Sequence, residues 1–135
     1  MSIFIYWNDE YKETNLPFIS ITKSKNGETG TATFIFLQPT IFEIHSTSDF
    51  IFRNMSICLG RKKFLTTDIE VLFWEGKPYL LKSIFLFKNI KEWFEFLTLL
   101  ADLSKQTGLA FFSTDNVEKD FSRFLFLRKN RFNEK

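Results

Sequence analysis

Sixteen carboxylates, one histidine (His45) and one cysteine (Cys58) are the side chains in this 135-residue chain that acid–base, metal or nucleophilic chemistry could draw on. Their spacing argues against all three. Asp68 and Glu70 stand two apart on one strand face, and Glu92 and Glu95 stand beside lysines on an exposed helix surface. Both pairs read as solubilising side chains. A single cysteine excludes an intramolecular disulfide and a Cys-based metal cage, and a single histidine excludes a multi-His site within one chain. No GxSxG, HExxH, Walker or GxGxxG motif occurs. Gly27-Glu28-Thr29-Gly30, flanked by Lys23 and Lys25, has glycines for a phosphate cradle. It lacks the Gly-Lys-Ser/Thr ending and does not open onto a helix, so it reads as a hairpin turn. The expectation is a protein that is not an enzyme, with no cofactor, no metal and no small-molecule substrate.

Binding chemistry is concentrated at the C-terminus. The formal charge is +2 and the isoelectric point near 8.7, weak for a duplex-DNA binder. Residues 1–113 hold twelve basic and twelve acidic side chains, whereas residues 114–135 hold six and four, so the whole excess lies in the tail. There, Asp115 suits a helix cap with Glu118 at its third position, and Val117, Phe121, Phe124 and Leu125 form an apolar stripe. Arg123, Arg128, Lys129, Arg131 and Lys135 against Glu134 give residues 121–135 a net of +4. A basic amphipathic segment with aromatic anchors suits an anionic membrane surface or an acidic partner. It equally suits a terminal helix packed on its own domain with a frayed basic end. RNA, whose bases the aromatics could stack, is a further alternative.

The elements that must position these residues come from a chain with 44% hydrophobic and 25% charged residues, one folded domain in size. Nineteen phenylalanines with few alanines make the core unusual in kind. Phe, Ile, Asn and Lys share A/T-rich codons, so genome composition accounts for much of this. No apolar run is long enough to span a bilayer as a helix. Met1–Trp7 is too short and lacks the basic start of a secretory signal, and it is not an Arg- and Ser-rich transit peptide. Alternation from Ile19 to Lys23 and a second strand from Thr31 to Leu37, around Asn26-Gly27, predict a hairpin. Pro39 stops the second strand, and an irregular stretch runs through His45. Phe50–Leu59, Phe64–Trp74 and Tyr79–Lys88 read as three more strands, the last two joined at Glu75-Gly76-Lys77-Pro78. The period then becomes helical. Asn89 caps, Glu92 bonds back to it, and Gly108 ends the helix. Ile90, Trp93, Phe94, Leu97, Leu100 and Ala101, widened by Phe96 and Leu103, form its buried stripe. Leu109–Phe112 suits a last short strand. The expected organisation is a sheet-plus-helix domain over 1–113 and a basic extension over 114–135.

From Lys23 to Phe36, Lys-Ser-Lys-Asn-Gly-Glu-Thr-Gly-Thr-Ala-Thr-Phe-Ile-Phe resembles the signature hairpin of the Psb28 family, small photosystem II assembly factors of cyanobacteria and plastids. Gly76-Lys77-Pro78 is similar to that family's Gly-basic-Pro turn. Glu92-Trp93 with Gly108-Leu109-Ala110-Phe111 is similar to its closing helix and end. The likeness covers roughly residues 15–113, the middle matching only as a pattern, and gives no information on the tail. Arg is frequent in the family where Lys23 and Lys25 stand here, which keeps charge but loses the planar fork.

The resemblance implies an α+β fold, a curved and partly barrel-like antiparallel β-sheet with one amphipathic helix packed on it. The tail helix is added to that. It also implies a non-catalytic protein that binds photosystem II intermediates transiently, near the core antenna and reaction-centre subunits. Such a protein sits peripherally on the stromal (cytoplasmic) face of the thylakoid, here in a plastid, and protects the immature acceptor side. Its binding mode is sheet extension by photosystem segments. The candidate contacts are Lys23, Ser24, Lys25, Gly27, Gly30, Thr31, Ala32 and Thr33. The competing account keeps Gly27, Gly30 and Ala32 for turn geometry and tight packing alone. If a nucleic acid or anionic surface were the target instead, Arg123, Arg128, Lys129 and Arg131 would carry the contact.

Overall fold

Period-two alternation up to Lys88 and period 3.6 beyond it produce two sheets and a long helix. The computed structural model describes residues 3–44, 50–108 and 111–114. In chain order the elements are β1 (Ile3–Trp7), β2 (Tyr11–Glu13), β3 (Phe18–Lys23), β4 (Gly30–Leu37), α1 (Thr40–Ile44) and β5 (Met55–Leu59). They continue with β6 (Lys62–Thr66), β7 (Asp68–Trp74), β8 (Lys77–Phe87), α2 (Ile90–Thr107) and β9 (Phe111–Thr114). One sheet has the order β2-β1-β5-β6 and the other β7-β8-β4-β3-β9. Every pairing is antiparallel except β3 with β9. The α+β, mostly antiparallel expectation therefore holds. The sheets do not close into a barrel. They meet at a seam where β6 passes into β7 through Thr67 and the Thr66 hydroxyl donates to the Ile84 carbonyl.

The core lies between the two sheets and α2. Ala32, Phe34 and Phe36 of β4 face inward, flanked by Ile19 and Ile21 on one side and Leu81, Phe85 and Phe87 on the other. Trp7, Met55, Ile57 and Phe64 come from the smaller sheet, and Trp93, Phe96, Leu99, Leu100 and Leu103 from the helix. Phe96 is the hub. Its ring centroid lies 4.5 Å from that of Phe87, 5.4 Å from Phe64 and 5.8 Å from Phe85. Such tilted and edge-on ring contacts add about 0.5–1.5 kcal/mol each beyond burial, so the abundant phenylalanines form the packing of the core.

Four expectations need correction. Phe64–Trp74 is not one strand: it breaks at Thr67 and its halves lie in different sheets, because the Thr66 side chain turns the chain by accepting from the Asp68 N–H. The third strand begins at Met55, since residues before it are held by a turn. Asn8 Oδ1 accepts from the N–H groups of Arg53 and Asn54, while Asn8 Nδ2 donates to the Ile51 carbonyl. The helix stripe is rotated: Trp93, Phe96, Leu99, Leu100 and Leu103 are buried, whereas Ile90, Phe94 and Ala101 face outward. Finally, Asn89 Oδ1 accepts from the N–H groups of Lys91 and Glu92, but the Glu92 carboxylate makes no return bond. Gly108 ends α2 in the left-handed conformation (φ 75°) as expected. The predicted tail helix lies outside the described residues.

Two elements went unpredicted. The β1–β2 hairpin turns on Asn8 and Asp9, both left-handed (φ 55° and 58°), which short polar side chains tolerate. The helix α1 is anchored by Glu13, a buried carboxylate. It accepts from Trp7 Nε1 (2.8 Å), the Asn15 N–H (2.9 Å), the Thr40 N–H (2.9 Å) and the Thr40 hydroxyl (2.7 Å). One side chain thus ties β1, β2 and the start of α1 together.

Candidate interaction surface

The β3–β4 hairpin separates into an exposed tip and a buried base. Strand pairing runs to Lys23↔Gly30, leaving residues 24–29 as the loop. The loop is closed by its own side chains. Ser24 Oγ donates to Asn26 Oδ1 (2.7 Å), which also accepts from the Glu28 N–H (3.0 Å). The Thr29 N–H donates to Ser24 Oγ (3.2 Å), and the Ser24 N–H to the Thr29 carbonyl (3.0 Å). Gly27 supplies the left-handed residue (φ 73°) this closure needs. Lys23 ends β3 and Lys25 lies in the loop, both exposed and neither facing a carboxylate partner among the described residues.

At the base the same motif is packed. A Cβ on Gly30 would stand 2.3 Å from Cζ2 of Trp93, so this position lets the indole lie on bare backbone. Ala32 is 0% and Thr33 1% exposed. β4 is paired with β3 and β8 along its length and offers no free main-chain edge. Of the eight candidate contacts, Lys23 and Lys25 are exposed, and Ser24, Gly27 and Thr31 half-buried. Gly30, Ala32 and Thr33 are buried. Among the described residues, free edges belong to the end strands β2, β6, β7 and β9.

The remaining chemistry-bearing residues are dispersed. Asp68 and Glu70 are exposed on the edge strand β7, Glu92 is exposed, and Glu95 pairs with Lys62 of β6 (3.5 Å) rather than with a helix lysine. Lys63 and Asp9 form a 2.7 Å ion pair across β6 and the β1–β2 turn. The bond from Lys63 holds the Asp9 carboxyl below the usual carboxylate range, and Asp9 raises Lys63 in turn. Cys58 sits half-buried on β5. Among the described residues no group of His, Cys, Asp and Glu is arranged to hold a metal, and no helix is long and apolar enough to cross a membrane. His45 and the tail residues Arg123, Arg128, Lys129 and Arg131 lie outside the described residues.

Two surface features were not foreseen. A groove of about 560 Å³ runs between the β5–β6 turn and α2, lined by Phe94 together with Arg61, Lys62, Lys91, Glu95 and Asp102. The β7–β8 turn is flanked by exposed Phe73 and Trp74, and the pairing of β7 with β8 shifts register after Leu72. Glu75 and Gly76 form the two-residue loop, both left-handed.

With the geometry in place, comparison with known proteins identifies the lineage. A family model described as Psb28 protein matches residues 5–111. The chain belongs to the Psb28 family. The relative from Nostoc punctiforme, named photosystem II reaction center Psb28 protein, is 31% identical over 97 residues, covering 72% of this chain and 84% of its own length. The protein of the same name from Synechocystis is 30% identical over 99 residues (73% and 87%). That from Guillardia theta is 28% identical over 104 residues (77% and 90%). The Psb28 match takes in β2 through α2 and most of β1, and ends at the first residue of β9, before the basic tail.

Proposed function

We propose that this protein associates with photosystem II as a non-catalytic assembly factor. In this reading it binds immature complexes on the stromal (cytoplasmic) face of the thylakoid, peripherally and in a plastid. Its contacts are core antenna and reaction-centre subunits, and it shields the acceptor side until assembly is complete. The observation that carries the reading is Psb28 family membership along residues 5–111, with relatives named for photosystem II.

The hairpin supplies a mechanism. Its loop is already ordered by Ser24 and Asn26, so little conformational entropy is lost when a partner meets Lys23 and Lys25. Two exposed cations without a carboxylate partner among the described residues attract a partner segment rich in carboxylates and orient the approach. Gly30, Ala32 and Thr33 hold the tip in place from below. Sheet extension takes an end strand, of which β7 is the longest and carries Phe73 and Trp74 beside its free edge.

The test is affinity capture from detergent-solubilised thylakoids with the tagged chain and its Lys23→Glu/Lys25→Glu variant. Incomplete photosystem II is expected with the parent and at least roughly tenfold less with the variant, the scale of two lost charge contacts. Recovery of no photosystem subunit by the parent overturns the reading.

A further inference from the structure

Part of the outer face of the five-stranded sheet is buried without a described element over it, while Leu86 on the same face is 63% exposed. On β4, Thr33 and Ile35 point opposite to the inward Ala32, Phe34 and Phe36. By register, Ser20 of β3 and Leu80 of β8 share their side. These four residues are 0–1% exposed, although the smaller sheet and α2 both pack against the opposite, inner face. Among the described residues the hydroxyls of Ser20 and Thr33 have no hydrogen-bond partner, the condition of polar groups under an apolar cover that excludes water.

We propose that residues 115–135 form that cover, lying across the outer face in cis as an amphipathic helix. Three observations favour this occupant. First, β9 brings the chain to one corner of this face, with Thr114 opposite Thr22. Twenty-one residues remain beyond that point. Second, the diagonal from that corner to Leu80 crosses three strand spacings and six residues of strand, roughly 24 Å, which a helix of about 16 residues spans. The stripe of Val117, Phe121, Phe124 and Leu125 supplies an apolar side for Thr33, Ile35 and Leu80. Third, residues 121–135 carry a net +4, and the far edge of the same face carries exposed Asp68 and Glu70. The family match ends at residue 111, so this cover is a feature of the present chain beyond the shared fold.

The test uses the full chain with Cys58→Ser and one reporter, Thr33→Cys on the outer face or Ser83→Cys on the inner face. Both parent residues are 0–1% exposed. Each reporter is labelled with a maleimide, with and without Phe121→Asp/Phe124→Asp. The expected result is slow labelling of both reporters in the parent and at least roughly tenfold faster labelling at Thr33→Cys alone in the tail variant, as local opening predicts. The protected Ser83→Cys reporter shows that the variant remains folded. Should both reporters accelerate together, Lys129→Cys carrying a nitroxide replaces the comparison: broadening of Ile84 and Leu80 methyl signals supports the cover, and its absence overturns it. Thr33→Cys labelling that is fast in the parent, or slow regardless of the tail, also overturns the proposal. So does protection lost on dilution, which assigns the cover to a second copy, or protection gained only with anionic vesicles, which assigns the tail to a membrane.

Discussion

Replacing Gly30 with alanine adds one methyl group where Trp93 leaves no room. The new Cβ would lie 2.3, 2.6 and 2.7 Å from three carbons of the indole, whereas carbon atoms settle at about 3.5–4.0 Å. Backbone and ring must separate by roughly 1 Å to reach that distance. Neither is free to move. Trp93 is 0% exposed and packed on Phe87 and Phe96 at 5.3 and 6.3 Å. Its indole N–H has no partner among the described residues, so packing sets its place. Gly30 is bonded between Lys23 and Phe87 in the sheet. Overpacking costs about 1–3 kcal/mol and more where relaxation is blocked, so Gly30→Ala is expected to lose about 3 kcal/mol, or roughly 10 °C in Tm for a chain of this size. Urea unfolding followed by tryptophan fluorescence reads the loss. In a Trp93→Leu background, itself destabilised by about 3 kcal/mol through the cavity it leaves, the same change should cost less than about 1 kcal/mol. A Gly30→Ala loss below about 0.5 kcal/mol, or an equal loss in both backgrounds, refutes the reasoning. It would return Gly30 to the list of direct contacts.

Other outcomes follow from the same packing and bonding. Glu13→Ala leaves the buried Trp7 Nε1 and the half-buried Thr40 N–H without an acceptor. At about 1–3 kcal/mol per orphaned donor, this costs about 3 kcal/mol in chemical unfolding and uncouples α1 from β2. Asn89→Ala removes the acceptor for two N–H groups at the start of α2; about 1 kcal/mol is expected by the same assay, and Asn89→Asp restores most of it. For Asp9, the folded carboxyl titrates below 3.8 because Lys63 bonds to it. The contribution is therefore present at neutral pH and lost as pH falls through the folded value. Lys63→Met moves the Asp9 titration, followed by carboxyl carbon NMR, upward toward 3.8. An unmoved titration contradicts the pairing.

The parts legible in the sequence were those set by local rules. Alternation with Asn26-Gly27 gave the β3–β4 hairpin, and Asn89 and Gly108 bounded α2, because turns and caps depend on neighbours along the chain. Long-range choices were hidden. That Thr67 divides β6 from β7 depends on the Thr66 hydroxyl meeting β8, residues eighteen apart. The rotated stripe of α2 depends on which face meets Phe64 and Phe87. The Glu13 anchor joins residues up to 27 apart, which no local pattern marks. At the candidate surface, the motif was visible as a string of residues. Its division into an exposed Lys23/Lys25 tip and a base locked by Trp93 required the helix to be in place.

The most direct test of the central claim is contact in place. A photo-crosslinking residue is substituted at Lys25 in the full tagged chain, which is bound to thylakoids carrying assembling photosystem II, irradiated, and analysed by mass spectrometry. The account predicts adducts with a core antenna or reaction-centre subunit, concentrated in incomplete complexes and lacking when the substituted position is Lys105, an exposed residue at the end of α2. Adducts absent from every photosystem II subunit at position 25 would contradict it.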